Sequence, residues 1–293
     1  MNSTSTISQT HTLKQAFIFF GATYLFSWSM FALGSLLHFE PIMLIGVWGP
    51  SLMSVTFTGI FYGKEGIKAL FKRFTRTNVK WYFWLLLIFL PAAIHLTGRS
   101  LWQLYYEGSV TTYFFLEDGS INPYYASLGS WLGAIIPSFL IAGFGEELGW
   151  RGFALPRLQK HFSPTIAVVI LGLVHLFWHL PTYWLGTGIH NVPLVYIFLF
   201  ILPWTMLFNW LYNRSNGSLI FAVSFHAITN ASLSLFRFLP SERDVPIDTS
   251  LLTKLSLPAE LGGPYLSVMA VYTIVAFTIW GLDGYKRKNT DLP

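Results

Sequence analysis

The sequence predicts an all-α polytopic membrane protein of about eight transmembrane helices, with both termini cytoplasmic. Three observations carry this. The 293 residues are 53% hydrophobic, with a mean hydropathy of +0.52. Only 11% are charged, where a soluble domain carries about 25%. Apolar stretches close to the ~20 residues that a bilayer crossing requires recur along the whole chain.

Taken in order, residues 1–14, MNSTSTISQTHTLK, are Ser/Thr-rich and lack both the basic start of a secretory signal and the arginines of a transit peptide. They are expected to form a disordered tail. The first two spans, 15–37 and 42–62, end before the basic run that begins at Lys64. The third, 81–98, lies between Lys80 and Arg99. The fourth, 127–150, is interrupted: LGSWLGAIIPSFLIAGF runs straight into Glu146 and Glu147. The fifth and seventh, 164–186 and 218–239, carry histidines, and the sixth, 193–212, lies between them. The eighth, 264–284, stops before Lys286, and 286–293 form a cytoplasmic tail. No composition shift divides the chain, so 15–285 reads as one transmembrane domain.

Orientation follows from Lys and Arg. With the N-terminus inside, the cytoplasmic segments hold all of the 18 cations except Arg99, Arg237, Arg243 and Lys254. The 99–126 and 240–263 loops are acidic by comparison, with Glu107, Glu117, Asp118, Glu242, Asp244, Asp248 and Glu260. Topology alone accounts for the basic loop 64–80, which also suits anionic lipid headgroups. The net charge of +5 therefore reads as a membrane signal, and no nucleic-acid partner is expected. The absence of cysteine excludes a disulfide framework and thiol chemistry.

The charges of the fourth span need a reason, because an ionised side chain at mid-bilayer costs about 2.5–3.5 kcal/mol even on the lenient insertion scale. Glu147 and Arg151 are i,i+4 neighbours in the favourable order and can pair. Glu146 is rotated about 100° from Glu147 on an α-helix and has no obvious local partner. One reading leaves all three charges wet at a cytoplasmic helix end. Two further sites favour another. VHLFWHLPTYW puts His175 and His179 on one helix face, and SFHAITNAS does the same for His226 and Asn230. Counted from the inner ends of their spans, His179 lies about 22 Å deep, His226 about 14 Å and Glu146 at least about 15 Å. These levels share one layer of a core about 30 Å thick. Glu146 and His179 could then deprotonate a water, while His226 and Asn230 donate hydrogen bonds to a carbonyl oxygen as it becomes negative. That is amide hydrolysis without a covalent intermediate.

At these residues the chain resembles the intramembrane glutamic endopeptidases related to type II CaaX prenyl proteases, the CPBP or Abi family, in its bacterial branch. GEELGWRG matches E-E-x-x-x-R, WHLP supplies the second motif's histidine, and HAITN supplies H-x-x-x-N. The motif core covers 146–230. The resemblance implies a peptidase with Glu146, His179, His226 and Asn230 as catalytic residues and Glu147 and Arg151 in support. It implies no metal or other cofactor. Its substrate would be a membrane-anchored or lipidated peptide or protein, and its place a bacterial cytoplasmic membrane. The second motif is usually F-x-x-x-H, and here His175 stands where the aromatic would be. His175 is either a packing substitute that hydrogen-bonds across helices or a member of the site.

Other classes stay open. Glu146, His179 and His226, with His175, also offer the donors of a catalytic zinc site, although there is no H-E-x-x-H helix and Asn230 has no job in it. A proton-coupled transporter would place Glu and His in the membrane, but no related halves with paired broken helices are evident. A catalytically silent scaffold or immunity protein would not need the complete motif set. Asp283 reads as a wet helix end, and Trp28, Trp48, Trp81, Trp84, Trp184 and Trp280 as interface anchors and packing. Pro181 is placed to kink the fifth span and free a carbonyl near the site.

Overall fold

The computed structural model describes residues 3–106, 108, 110, 118, 120–184, 194–236 and 259–283. They are helical, with no β-strand among the described residues. In chain order the main helices are α1 (Ser3–Leu36), α2 (Glu40–Val47), α3 (Gly49–Lys72), α4 (Trp81–Tyr106) and α5 (Leu128–His161). They continue with α6 (Pro164–Trp178), α7 (Leu194–Arg214), α8 (Leu219–Leu235) and α9 (Ala259–Asp283). Short turns at Pro123–Ala126 and Leu180–Trp184 precede α5 and follow α6.

Five helices are long and apolar enough to cross a bilayer: Thr12–Leu36, Trp81–Tyr106, Leu128–His161, Pro164–Thr182 and Gly263–Asp283. A sixth crossing results if α2 and α3, bent by 49° at a short break, form one span. The chain is thus an integral membrane protein. The sixth expected span corresponds to α7. The seventh corresponds to α8, whose 17 residues are fewer than the ~20 of a straight crossing. The C-terminal tail 286–293, the 237–258 part of the acidic loop and the side chain of Trp184 lie outside the described residues.

Two helix ends carry contacts. The N-terminal segment is helical from Ser3 as the start of α1. It is tied to the end of α5, where Thr12 is buried and hydrogen-bonds His161 Nε2 at 2.9 Å. Asp283 is not simply wet. Its carboxylate pairs with Arg214 and accepts a hydrogen bond from Trp210 Nε1 at 2.8 Å.

The helix that matters most is α5, which is continuous but not uniform. Two stretches, Ser138–Gly143 and Leu148–Ala154, are wound as π-helix, and a single α turn, Phe144–Glu147, joins them. π turns break the i→i−4 ladder and recur at functional sites. Here the disruption starts at Pro137, which has no N–H to give. Side chains then take the displaced carbonyls. Ser138 Oγ donates to the Ala134 carbonyl at 2.7 Å, and Ser51 Oγ of α3 donates to that of Phe144 at 2.7 Å. Arg73 reaches the carbonyls of Gly152 at 2.6 Å and Arg151 at 3.3 Å. Topology was expected to account for the basic loop that holds Arg73. This arginine is 1% exposed and works as a plug under the second π stretch.

Small residues let the neighbours close in. A Cβ on Gly143 would lie 2.8 Å from the Val223 carbonyl oxygen of α8. One on Gly149 would lie 2.5 Å from that of Pro50 at the start of α3. The charged turn of α5 is therefore clasped by α3 on one side and α8 on another, within a core that includes Trp150, Phe153, Trp178 and Phe225.

Candidate active site

Glu146 and Glu147 sit on the α turn between the two π stretches, and both are buried, 2% and 0% exposed. Arg151, in the second stretch, is also fully buried. These values exclude the reading in which the three charges are wet at a helix end. Burial on this scale demands partners, since an unpaired buried charge costs several kcal/mol.

Each carboxylate finds a different set. Glu147 accepts from Arg151 Nη1 with both oxygens, at 3.0 and 3.2 Å, and pairs with His226 Nδ1 of α8 at 2.7 Å. Arg151 is held in turn by Asn209 Oδ1 of α7 at 3.2 Å from Nε. Its guanidinium lies over the Phe208 ring at 3.6 Å and the Trp204 ring at 5.2 Å, both on α7. The planar fork and its aromatic bed make Arg151 a fixed post rather than a mobile charge.

Glu146, expected to lack a local partner, has two. Trp150 Nε1 donates to its Oε2 at 3.2 Å, and His175 Nε2 of α6 lies 2.8 Å from the same oxygen. Both bonds fall on Oε2. The contact from His175 makes this residue at once a cross-helix hydrogen-bonder and a member of the cluster, so the two readings of the departure from F-x-x-x-H converge. Glu146, His175 and His179 each present one donor atom, all within 4.8 Å of one another. The His175 and His179 rings stack at 5.1 Å, and Trp178 packs edge-on against His179 at 4.7 Å.

His179 terminates α6, and Pro181 follows. The Thr182 hydroxyl and N–H both bond the His179 carbonyl, at 2.7 and 3.1 Å. The carbonyl that Pro181 was expected to free is thereby taken by Thr182. His226 hydrogen-bonds Glu147 rather than Glu146, and its ring lies 6.1 Å from that of His175. Asn230, one turn along α8, is half-buried and joins none of these hydrogen bonds. His179 and Asn230 are the least buried of the candidate residues.

Sequence reasoning missed Trp150, Asn209 and Arg73. Trp150 stands four residues after Glu146, so the i,i+4 spacing was there to find. Asn209 is a lone amide in the apolar run FILPWTMLFNW, a signal of the same kind as the histidines. Arg73 carried no signal, because it is one of several cations in a loop.

Two comparisons bear on this cluster. Residues 127–232 match the family model of type II CAAX prenyl endopeptidases, Rce1-like. CAAX prenyl protease 2 of Methanococcus maripaludis is 33% identical over 103 residues, which are 33% of this chain and 38% of that protein. The chain thus spans well under half the length of the curated relative it matches. The matched family segment holds every candidate residue of the cluster.

Proposed function

We propose that this chain, whose segment 127–232 is of the Rce1-like type II CAAX prenyl endopeptidase family, is an intramembrane peptidase that hydrolyses a peptide bond of a membrane-anchored or lipidated substrate. The observation that carries the reading is the spacing of Glu146 and His179. Their donor atoms lie within 4.8 Å. One water hydrogen-bonded to both at about 2.8 Å would fit between them.

Among the described residues both hydrogen bonds to Glu146 fall on Oε2, which leaves Oε1 to take the water's proton. His179 orients that water by accepting its other hydrogen. On attack, the substrate carbonyl oxygen becomes negative and needs donors. Asn230 offers its amide. His226 is subtler, because its Nδ1–H is committed to Glu147, so neutral imidazole presents an acceptor at Nε2. It can donate from Nε2 only as imidazolium, with its Nδ1–H still held on Glu147, which thus aims the ring. The Glu147–Arg151 pair thereby has a chemical use besides anchoring α5. The proton held on Glu146 then passes to the leaving amine. A site of this kind, within reach of the cytoplasmic side of a bacterial membrane, suits a substrate tethered by a lipid or a short anchor.

The test is cleavage of a membrane-tethered peptide library by the purified chain in liposomes. Glu146→Gln should lower turnover by about 10²–10⁴-fold, the range of a lost general base. Asn230→Ala should cost about 10²–10³-fold, as for one oxyanion donor. A chelator should leave the rate unchanged. Cleavage that survives Glu146→Gln would end this reading, whereas a silent scaffold would cleave nothing and keep its function in Glu146→Ala and Glu146→Gln alike.

A further inference from the structure

His175 changes what this cluster can bind. A histidine pair at i,i+4 on one helix face is the arrangement that zinc-binding helices use, with a carboxylate from elsewhere as the third ligand. Here His175 and His179 supply the pair from α6 and Glu146 supplies the carboxylate from α5. Zinc with nitrogen and oxygen ligands at about 2.0–2.2 Å needs donor atoms roughly 3.3 Å apart. The three donors already lie within 4.8 Å, and His175 Nε2 and Glu146 Oε2 are 2.8 Å apart. Small side-chain movements would close the set.

Two further features favour a cation. Glu146 and Glu147 are both buried, and the one guanidinium, that of Arg151, pairs with Glu147, which leaves the Glu146 carboxylate facing the indole of Trp150 and the imidazole of His175. Secondly, His175 Nδ1 is buried and has no hydrogen-bond partner among the described residues. When a metal takes one ring nitrogen, the other can hold the proton.

We infer that the cluster is a transition-metal site, in which Zn²⁺ bound by Glu146, His175 and His179 blocks the peptidase reaction. The inference rests on the proposed peptidase reading for its consequence, not for the binding itself. A metal on Glu146 draws electron density from the carboxylate that would accept the water's proton, and a metal on His179 takes the nitrogen that would orient the water. The occupied site is therefore an off state. His175 is what makes it possible, since an aromatic at that position would leave two ligands.

The experiment uses the untagged full chain in detergent, titrated with Co²⁺ alone and then with Zn²⁺. A single site with the intense visible absorption of tetrahedral Co²⁺, bleached by Zn²⁺, is expected. His175→Phe and His175→Gln should both lose it, the second variant keeping a polar side chain of similar reach. His38→Gln, at an exposed position, should keep it. In the cleavage assay each variant is compared with its own zinc-free rate. The Zn²⁺ concentration for half inhibition should rise at least about 10–100-fold in both His175 variants, the loss seen even when a ligand's supporting partner is removed. No Co²⁺ absorption, or absorption that persists in both variants, would overturn the site whatever the activity. Inhibition unchanged by either substitution would overturn the off state. Cleavage lost with chelator and restored by zinc would overturn both the off state and the metal-free reaction.

Discussion

At the scale of single residues, the cluster is organised by which carboxylate takes which cation. Glu147 has Arg151 and His226, and Glu146 has Trp150 and His175. The identity of the charged and imidazole residues was legible in the sequence, because each is conspicuous in an apolar span. Their pairing was not. An α-helix of uniform pitch puts Glu146 and Glu147 about 100° apart, and the choice among His175, His179 and His226 depends on how the π turns aim each carboxylate. The division of labour predicts strong coupling on one side only. Glu147→Ala and Arg151→Ala should each destabilise the chain by about 3–5 kcal/mol, since each leaves a buried charge without its partner. The double variant should cost clearly less than the sum. Unfolding of the single and double variants in mixed micelles, followed by circular dichroism, measures this. Additive losses would mean that Glu147 and Arg151 are held by other groups.

At the scale of helices, α1 has a role that no motif announces. Tyr24 and Trp28 lie one turn apart, with rings stacked at 5.0 Å. Their donors reach the carbonyls of Val174 and Trp178, also one turn apart on α6, with the indole bond at 3.0 Å. Those carbonyls immediately precede His175 and His179. The two bonds therefore fix the height and rotation of the helix that presents both imidazoles. Interface anchoring and packing are what the sequence predicts for Trp28, and a tryptophan near a span end looks the same in either role. Trp28→Phe keeps the ring and removes the N–H, and Tyr24→Phe removes the hydroxyl. Each should lower kcat with little change in KM, together by up to about 10²-fold, the scale of a 1 Å misplacement at the chemistry. Circular dichroism should stay as in the parent chain. A rise in KM at constant kcat would instead put these side chains on the substrate path. Packing of α5 makes a second demand. Gly149→Ala would force a Cβ to within 2.5 Å of the Pro50 carbonyl oxygen. It should cost about 1–3 kcal/mol of stability, the usual price of overpacking, read as a lower melting temperature in detergent.

At the scale of the whole molecule, the question is which side of the membrane each end faces. Lys and Arg counts predict residues 64–80, the 157–160 segment, Arg214 and both termini to lie inside. The long-range contacts sort in the same way. Thr12 bonds His161, Arg73 bonds the Gly217 carbonyl, Arg76 bonds that of Asn216, and Arg214 pairs with Asp283. Every one joins two segments assigned to the inside. The Tyr125 hydroxyl donates to the Leu235 carbonyl at 3.1 Å, joining two segments assigned to the outside. A chain whose successive helices alternate in direction meets this condition if α2 with α3 counts as one crossing, and if α7 and the short α8 each cross as well. Length alone does not deliver that count, since α8 spans only about 25 Å at 1.5 Å per residue. Crossing by so short a helix requires thinned lipid around it or cover from neighbours, and α8 is the helix packed against both α4 and α5. The absence of native cysteine makes the arrangement directly testable. Single cysteines at Lys68, Asn216 and Lys288 should be shielded from a membrane-impermeant maleimide in intact cells and labelled once the membrane is opened. Cysteines at Ser120 and Ser241 should be labelled from outside. If Asn216→Cys were labelled from outside while Lys68→Cys was not, α7 and α8 would form a hairpin of the wrong sense. Arg73, which now bonds a carbonyl of that turn, would then have to reach across the membrane, so the eight-crossing arrangement would fall together with the plug beneath the second π stretch.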